Sequence, residues 1–200
     1  MPQNITYTVG GGLYINMTNR CTCDCDFCLR NKISAVGESE SLWLDCEPSR
    51  EEVLESVVSR VLSGFDEVVF CGFGEPMIRF DDLFWVARQI KQIMPSMPIR
   101  VNTNGHANMI AGCDITPQMA NIIDRLSVSL NRSDAEAYNL HVRSVFGARA
   151  FDGMLDFVKR AKNYAEITLT VVDVLLPDEL ENCRKIAEDM GVGFRVRAAY

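Results

Sequence analysis

The stretch EVVFCGFGEPMIRFDDLFWVARQIKQIMPSMPIRVNTNG, residues 67–105, reads as strand, helix and strand in succession. EVVFCG (67–72) is the short apolar run of a buried strand. Asp81 or Asp82 is placed to cap a helix whose Leu83, Phe84, Ala87, Ile90 and Met94 share one face, and Pro95 stops it. IRVNTNG (99–105) is the next strand. A strand that returns through a helix to a second strand implies a right-handed βαβ unit and a parallel sheet.

The same unit recurs on both sides. Upstream, NITYTV (4–9) and LYINMT (13–18) alternate around Gly10 to Gly12 and predict a strand or hairpin; residues 31–46 are polar and irregular, a loop. Pro48 sits at a favoured first helical position, and Val53, Leu54, Val57, Val58, Val61 and Leu62 follow at helical spacing up to Gly64. Downstream come a short helix from Thr116-Pro117, the strand DRLSVSLN (124–131), and helices over 134–142 and 149–163. EITLTVVDVLL (166–176), the helix 177–191 and the strand GFRVRAAY (193–200) complete the pattern. The expected fold is α/β: a partial (β/α)6 TIM-type barrel with a parallel sheet and a short N-terminal strand or hairpin, in one domain over residues 1–200. Six units are too few to close the eight-stranded barrel, and ligands belong at the C-terminal ends of the strands.

Composition narrows the function classes. The 200 residues carry 20 basic and 27 acidic side chains, a formal charge of −7. Such a chain has no global field for phosphate backbones, so non-specific nucleic-acid binding is not expected. No apolar run reaches bilayer length, and the N-terminus lacks a basic region followed by an apolar one, so the expected location is the cytoplasm and no membrane is involved. Four of the eight cysteines fall in CTCDCDFC as Cys21, Cys23, Cys25 and Cys28; Cys46, Cys71, Cys113 and Cys183 are scattered. In a reducing compartment a tight cluster signals a metal site or redox centre rather than bridges.

Unusual polar chemistry collects at four strand ends: Cys21-x3-Cys25-x2-Cys28, Cys71-Gly72-Phe73-Gly74-Glu75-Pro76, Asn102-Thr103-Asn104-Gly105, and Ser127, Ser129 and Asn131 on one face by period two. Three thiolates on a short loop can ligate three irons of a four-iron cube and leave the fourth open to a small molecule. The competing readings are a zinc site, for which only Cys25-x2-Cys28 has the paired spacing, and a redox C-x2-C, which explains neither Cys21 nor the other strand ends. The x3 spacing favours Cys21 over Cys23 as ligand.

With Phe27 before its last cysteine, the motif resembles that of the radical S-adenosylmethionine superfamily. That resemblance implies a 4Fe-4S cluster on Cys21, Cys25 and Cys28, whose open iron chelates S-adenosylmethionine. Reductive cleavage of the S–C5′ bond then gives a 5′-deoxyadenosyl radical for hydrogen abstraction. It also implies that Gly72, Gly74 and Glu75 meet the methionyl amine, that Asn102 and Asn104 approach the methionyl part, and that Ser129 and Asn131 serve ribose or carboxylate. Arg143 is expected to reach the carboxylate, its alternative being a solvated helix-end cation. Val172 and the last strand, with Arg197, are expected to border adenine, and Arg195 and Arg197 to point to one side, toward an anionic substrate or outward salt bridges. His106 is a candidate to face substrate; Cys183 reads as a small core residue. TNRCTCDCDFCLRN, GFGEP, NTNG, SVSLN and FRVR look most like the small TatD-associated radical SAM proteins, which implies a functional link to a TatD-type hydrolase and an electron donor such as flavodoxin or ferredoxin. The alternatives are an activase that places a radical on a partner protein and a non-catalytic zinc or iron–sulfur module.

Overall fold

Alternating apolar and polar residues within parallel strands divide this molecule into a dry face and a wet one. A computed structural model describes residues 3–61 and 64–198; Leu62 and Tyr200, expected in a helix and a strand, lie outside them. Strands β1 (Thr6–Val9) and β2 (Gly12–Ile15) form an antiparallel hairpin around Gly10. Strands β3 (Glu67–Phe70), β4 (Ile99–Thr103), β5 (Arg125–Ser129), β6 (Glu166–Val172) and β7 (Gly193–Arg197) then add to β2 one after another, all parallel. The sheet order is the chain order, β1 to β7, and β7 does not pair back onto β1, so the barrel is open. Every parallel strand therefore delivers its C-terminal end to one rim.

The crossovers are α1 (Arg50–Val61), α2 (Phe80–Ile93), α3 (Ala107–Ala111), α4 (Ala135–Val142) with α5 (Ala150–Ala161), and α6 (Pro177–Met190). They cover the outer sheet face, where Leu13, Ile15, Val68, Phe70, Ile99, Val101, Leu126, Val128, Leu169 and Val171 are fully buried. Val53 and Val57, Leu83 and Ile90, Met154 and Phe157, and Cys183 and Ala187 close this core from the helix side. Each such large apolar side chain contributes about 1.5–3 kcal/mol on leaving water. The inner face is polar: the register aligns Tyr14 with Val69 and Arg100, Asn102 with Ser127 and Thr168, and Ser129 with Thr170 and Arg195.

Local details depart from the sequence expectation at helix starts. α1 begins after Pro48, because Ser49 caps it: the Glu52 N–H donates to Ser49 Oγ and the Ser49 N–H to Glu52 Oε2, a reciprocal box. Val58 of the expected stripe is exposed. Asp81 and Asp82 do not cap α2 but lie in its first turn, where Asp82 pairs with Arg79 at 2.6 Å. Thr116-Pro117 opens a single 3-10 turn rather than a helix, and no local pattern announces α3. Asp134 does cap α4 by accepting the Ala137 N–H, and Gly191, left-handed, ends α6.

Candidate functional site

At the rim, the polar strand ends border a cleft of about 590 Å³. Its lining includes Cys21, Cys25, Cys28 and Phe27 from the loop after β2, Gly72, Gly74 and Glu75 after β3, and Asn102 and Asn104 of β4 and its end. Ser129 and Asn131 close it from β5, Val172 from β6, and Arg195 and Arg197 from β7. Most residues singled out at the strand ends thus share one cavity; Ser127, His106 and Arg143 are not among its lining residues. Arg143 caps α4 in a left-handed conformation, and its guanidinium donates to the Asp24 carbonyl at 2.6 Å and pairs with the Asp24 carboxylate at 3.3 Å.

The place of Arg143 reveals how the cysteine loop is held. Residues 22–26 run antiparallel to the end of α4: Asp24 donates to the Val142 carbonyl, Asp26 to that of His141, and Val145 to that of Thr22. His141 Nδ1 lies 2.7 Å from Asp26 Oδ2. From the other side, the backbone after β3 pairs with the approach to Cys21, Gly74 N–H to the Thr18 carbonyl and Glu75 N–H to that of Arg20. A Cβ on Gly74 would overlap the Thr18 and Arg20 carbonyl oxygens, and one on Gly72 would overlap the Asn16 amide. Their lack of a side chain lets the turn after β3 pack directly on the chain leaving β2, and both glycines line the cleft.

Glu75 is buried, yet both its oxygens are engaged. Oε1 accepts from Met77 N–H at 3.0 Å and Thr103 Oγ1 at 2.7 Å; Oε2 accepts from Asn104 N–H at 2.6 Å. Burial pushes its carboxyl up to about 7, against the pull of those three donors toward the ionised form. One lone pair of Oε2 stays available for a cation in the cleft. Asn104 turns its amide to the cysteine loop, with Nδ2 2.9 Å from Thr22 Oγ1, 3.4 Å from Cys23 Sγ and 3.9 Å from Cys21 Sγ. His106 is fully buried behind the loop instead of facing the cleft, its Nδ1 3.3 Å from Thr22 Oγ1 and its Nε2 3.1 Å from the Tyr138 hydroxyl. Burial lowers its pKa to about 4, which keeps the ring neutral. Cys23 is buried among these groups, whereas Cys21, Cys25 and Cys28 are half-buried; all four line the cleft.

Several contributors escaped the sequence reading, Arg30 and Lys32 after the cysteine loop among them. Tyr7 and Tyr14 from the hairpin line the cleft, as does Arg100, whose guanidinium binds Glu67 at 2.6 Å and Asn102 Oδ1 at 2.7 Å. The period-two alternation of IRVNT carried that signal, since it sets Arg100 on the face of Asn102. The loop over residues 31–46 is tied down by Asn16 and Asn19, which donate to the Leu42 and Leu44 carbonyls at 2.7 Å each.

A family model described as the Radical SAM superfamily matches residues 15–190, a span that begins at the last residue of β2 and ends with α6. The chain belongs to that superfamily. No curated protein matches it. Among solved structures, "Native anSMEcpe with bound AdoMet" is similar at a TM-score of 0.64 and 18% identity, over 94% of this chain and 50% of the other. A histidine-tagged form of that protein, also with AdoMet bound, gives 0.66 and 18% over the same shares. "Structure of TYW1 with a lysine-pyruvate adduct bound" gives 0.63 and 15%, over 94% and 65%. The chain thus spans about half to two-thirds of the length of the structures it matches. They share its open barrel. The radical SAM family uses a 4Fe-4S cluster and S-adenosylmethionine.

The residues present fit those groups. Cys21, Cys25 and Cys28 line one cleft together with Cys23 and Cys71, and Asn131, a lining residue held left-handed at φ 60, has an Oδ1 buried without a hydrogen-bond partner. A buried amide oxygen left unpaired costs about 1–3 kcal/mol, a cost that a donor in the cleft removes. Among the described residues, no helix is long and apolar enough to cross a membrane.

Proposed function

We propose that this chain is a radical SAM enzyme that cleaves S-adenosylmethionine reductively at a 4Fe-4S cluster held by Cys21, Cys25 and Cys28, for hydrogen abstraction from a substrate. The observation that carries the reading is the shared cleft, whose lining brings Cys21, Cys25 and Cys28 together with Glu75, Ser129 and Asn131. When bound, the cluster and S-adenosylmethionine together supply one-electron cleavage of a carbon–sulfur bond. The chain's own residues do the positioning. Glu75, fixed by three donors, offers its remaining lone pair to the methionyl ammonium, and the Asn131 oxygen and Ser129 hydroxyl meet polar groups on the opposite wall. Val172 and Val196 give an apolar border for adenine, with Arg197 beside them. Asn104 donates toward Cys21 Sγ from outside the ligand set and orients that thiolate.

We place the chain with the TatD-associated branch on the strength of its TNRCTCDCDFCLRN, GFGEP and FRVR segments, with a flavodoxin or ferredoxin as reductant and a cytoplasmic location. Anaerobic reconstitution tests the core of the reading. Four irons and four sulfides per chain, with 5′-deoxyadenosine formed from S-adenosylmethionine and dithionite, are the expected outcome. A protein that takes up zinc, assembles no cluster and makes no 5′-deoxyadenosine would sink it.

A further inference from the structure

The molecule is acidic overall, at −7, yet the cleft is basic. Among the described residues its lining holds five cations, Arg30, Lys32, Arg100, Arg195 and Arg197, and one carboxylate, Glu75. The bound groups add no net charge to them. An oxidised four-iron cube on three thiolates is singly anionic and S-adenosylmethionine singly cationic, so together they cancel. Arg100 is committed to Glu67, Asn102 and the Tyr14 hydroxyl. Arg195 differs. It stands beside Thr170 on the inner sheet face, one step below the Val172–Arg197 pair at the rim, and its Nη2 donates to Ser127 Oγ at 2.9 Å. That bond orients the guanidinium at the cleft wall, and a planar fork of this kind suits a carboxylate or phosphate.

Resting on the radical SAM reading above, we infer that the substrate is a small molecule with an oxyanion, carboxylate or phosphate, which docks on the Arg195 guanidinium beneath the cofactor. Arg195 is exposed on the last strand, so an incoming anion reaches it directly, and the neighbouring cations of the lining steer it there. The same alternation that puts Arg195 and Arg197 on one face of β7 makes the last strand the specificity element of the barrel.

Anaerobic calorimetry on the reconstituted, S-adenosylmethionine-loaded protein tests the inference with inorganic phosphate and with succinate, and with neutral succinamide as control. At least one of the two anions is expected to bind with a Kd on the order of millimolar, and the preferred probe tells a phosphoryl from a carboxyl substrate. Arg195→Gln should weaken that binding about tenfold or more, and Arg195→Lys should restore part of it. Ser127→Ala, which removes only the orienting hydroxyl, should weaken it a few-fold, roughly the worth of one hydrogen bond. Absence of binding by either anion, equal binding of succinamide, or equal affinity in the Arg195 and Ser127 variants overturns the inference. A wild-type protein that binds S-adenosylmethionine but no anion overturns this inference alone. One that binds no S-adenosylmethionine overturns the reading beneath it.

Discussion

Glu75 concentrates three demands in one side chain. It is buried, it terminates the turn after β3, and it faces the cleft. Its carboxyl is raised from the ordinary value near 4.5 to about 7, so the folded protein binds a proton there that the unfolded chain has lost. Stability is therefore expected to fall as pH rises through that window, by up to about 3 kcal/mol, and to level off above it. Glu75→Gln should flatten this part of the profile in urea unfolding between about pH 5 and pH 8; an unchanged slope would assign the dependence to other groups. The same variant turns an amide N–H toward the Asn104 N–H and removes the charge that meets an ammonium. It is expected to lower S-adenosylmethionine affinity about tenfold or more while iron is still incorporated, as read by the cofactor's perturbation of the reduced cluster's electron paramagnetic resonance signal.

At the scale of elements, the decisive contact is between the turn after β3 and the chain leaving β2. Gly74→Ala drives a methyl group into the Thr18 and Arg20 carbonyls, backbone atoms that cannot swing aside. We expect a loss of roughly 1–3 kcal/mol in stability and a sharp drop in bound iron per chain, because the segment displaced leads directly to Cys21. An Ala variant with full iron content would contradict that coupling. This contact also marks where the sequence stopped being readable. GFGEP announced a glycine-dependent close approach, but the partner, Thr18 to Arg20, lies about fifty residues upstream and no local pattern names it. By contrast, the six parallel strands and the hairpin follow from local periodicity, so they were legible. The strap from α4 was not. Arg143 read equally well as a carboxylate ligand or a solvated cation, and only tertiary pairing with Asp24 settles its place. His106 failed for a similar reason, because its burial depends on Tyr138 and Phe146 folding over it.

Across the whole molecule, the sheet keeps its hydrocarbon outside and its polar side chains inside, the reverse of a barrel whose interior is packed with branched residues. A cavity of this kind has little apolar filling of its own and gains order from what it binds. Removal of the cluster is expected to lower the melting temperature and to increase proteolysis and amide exchange over residues 20–32, leaving the outer core of β3 to β6 protected. Equal protection of that loop with and without iron would show that its hydrogen bonds suffice. The strap described above also dictates an order of events. Cys21, Cys25 and Cys28 emerge early in synthesis, but the backbone that clamps their loop, residues 141–145, is separated from it by nearly 120 positions. Closing so long a connection costs chain entropy that only the intervening strands can repay. The cysteine loop therefore lacks one side of its clamp until β5 and α4 have joined the sheet. A nascent chain that stops short of residue 141 carries Cys21, Cys25 and Cys28 on a loop held only from the turn after β3.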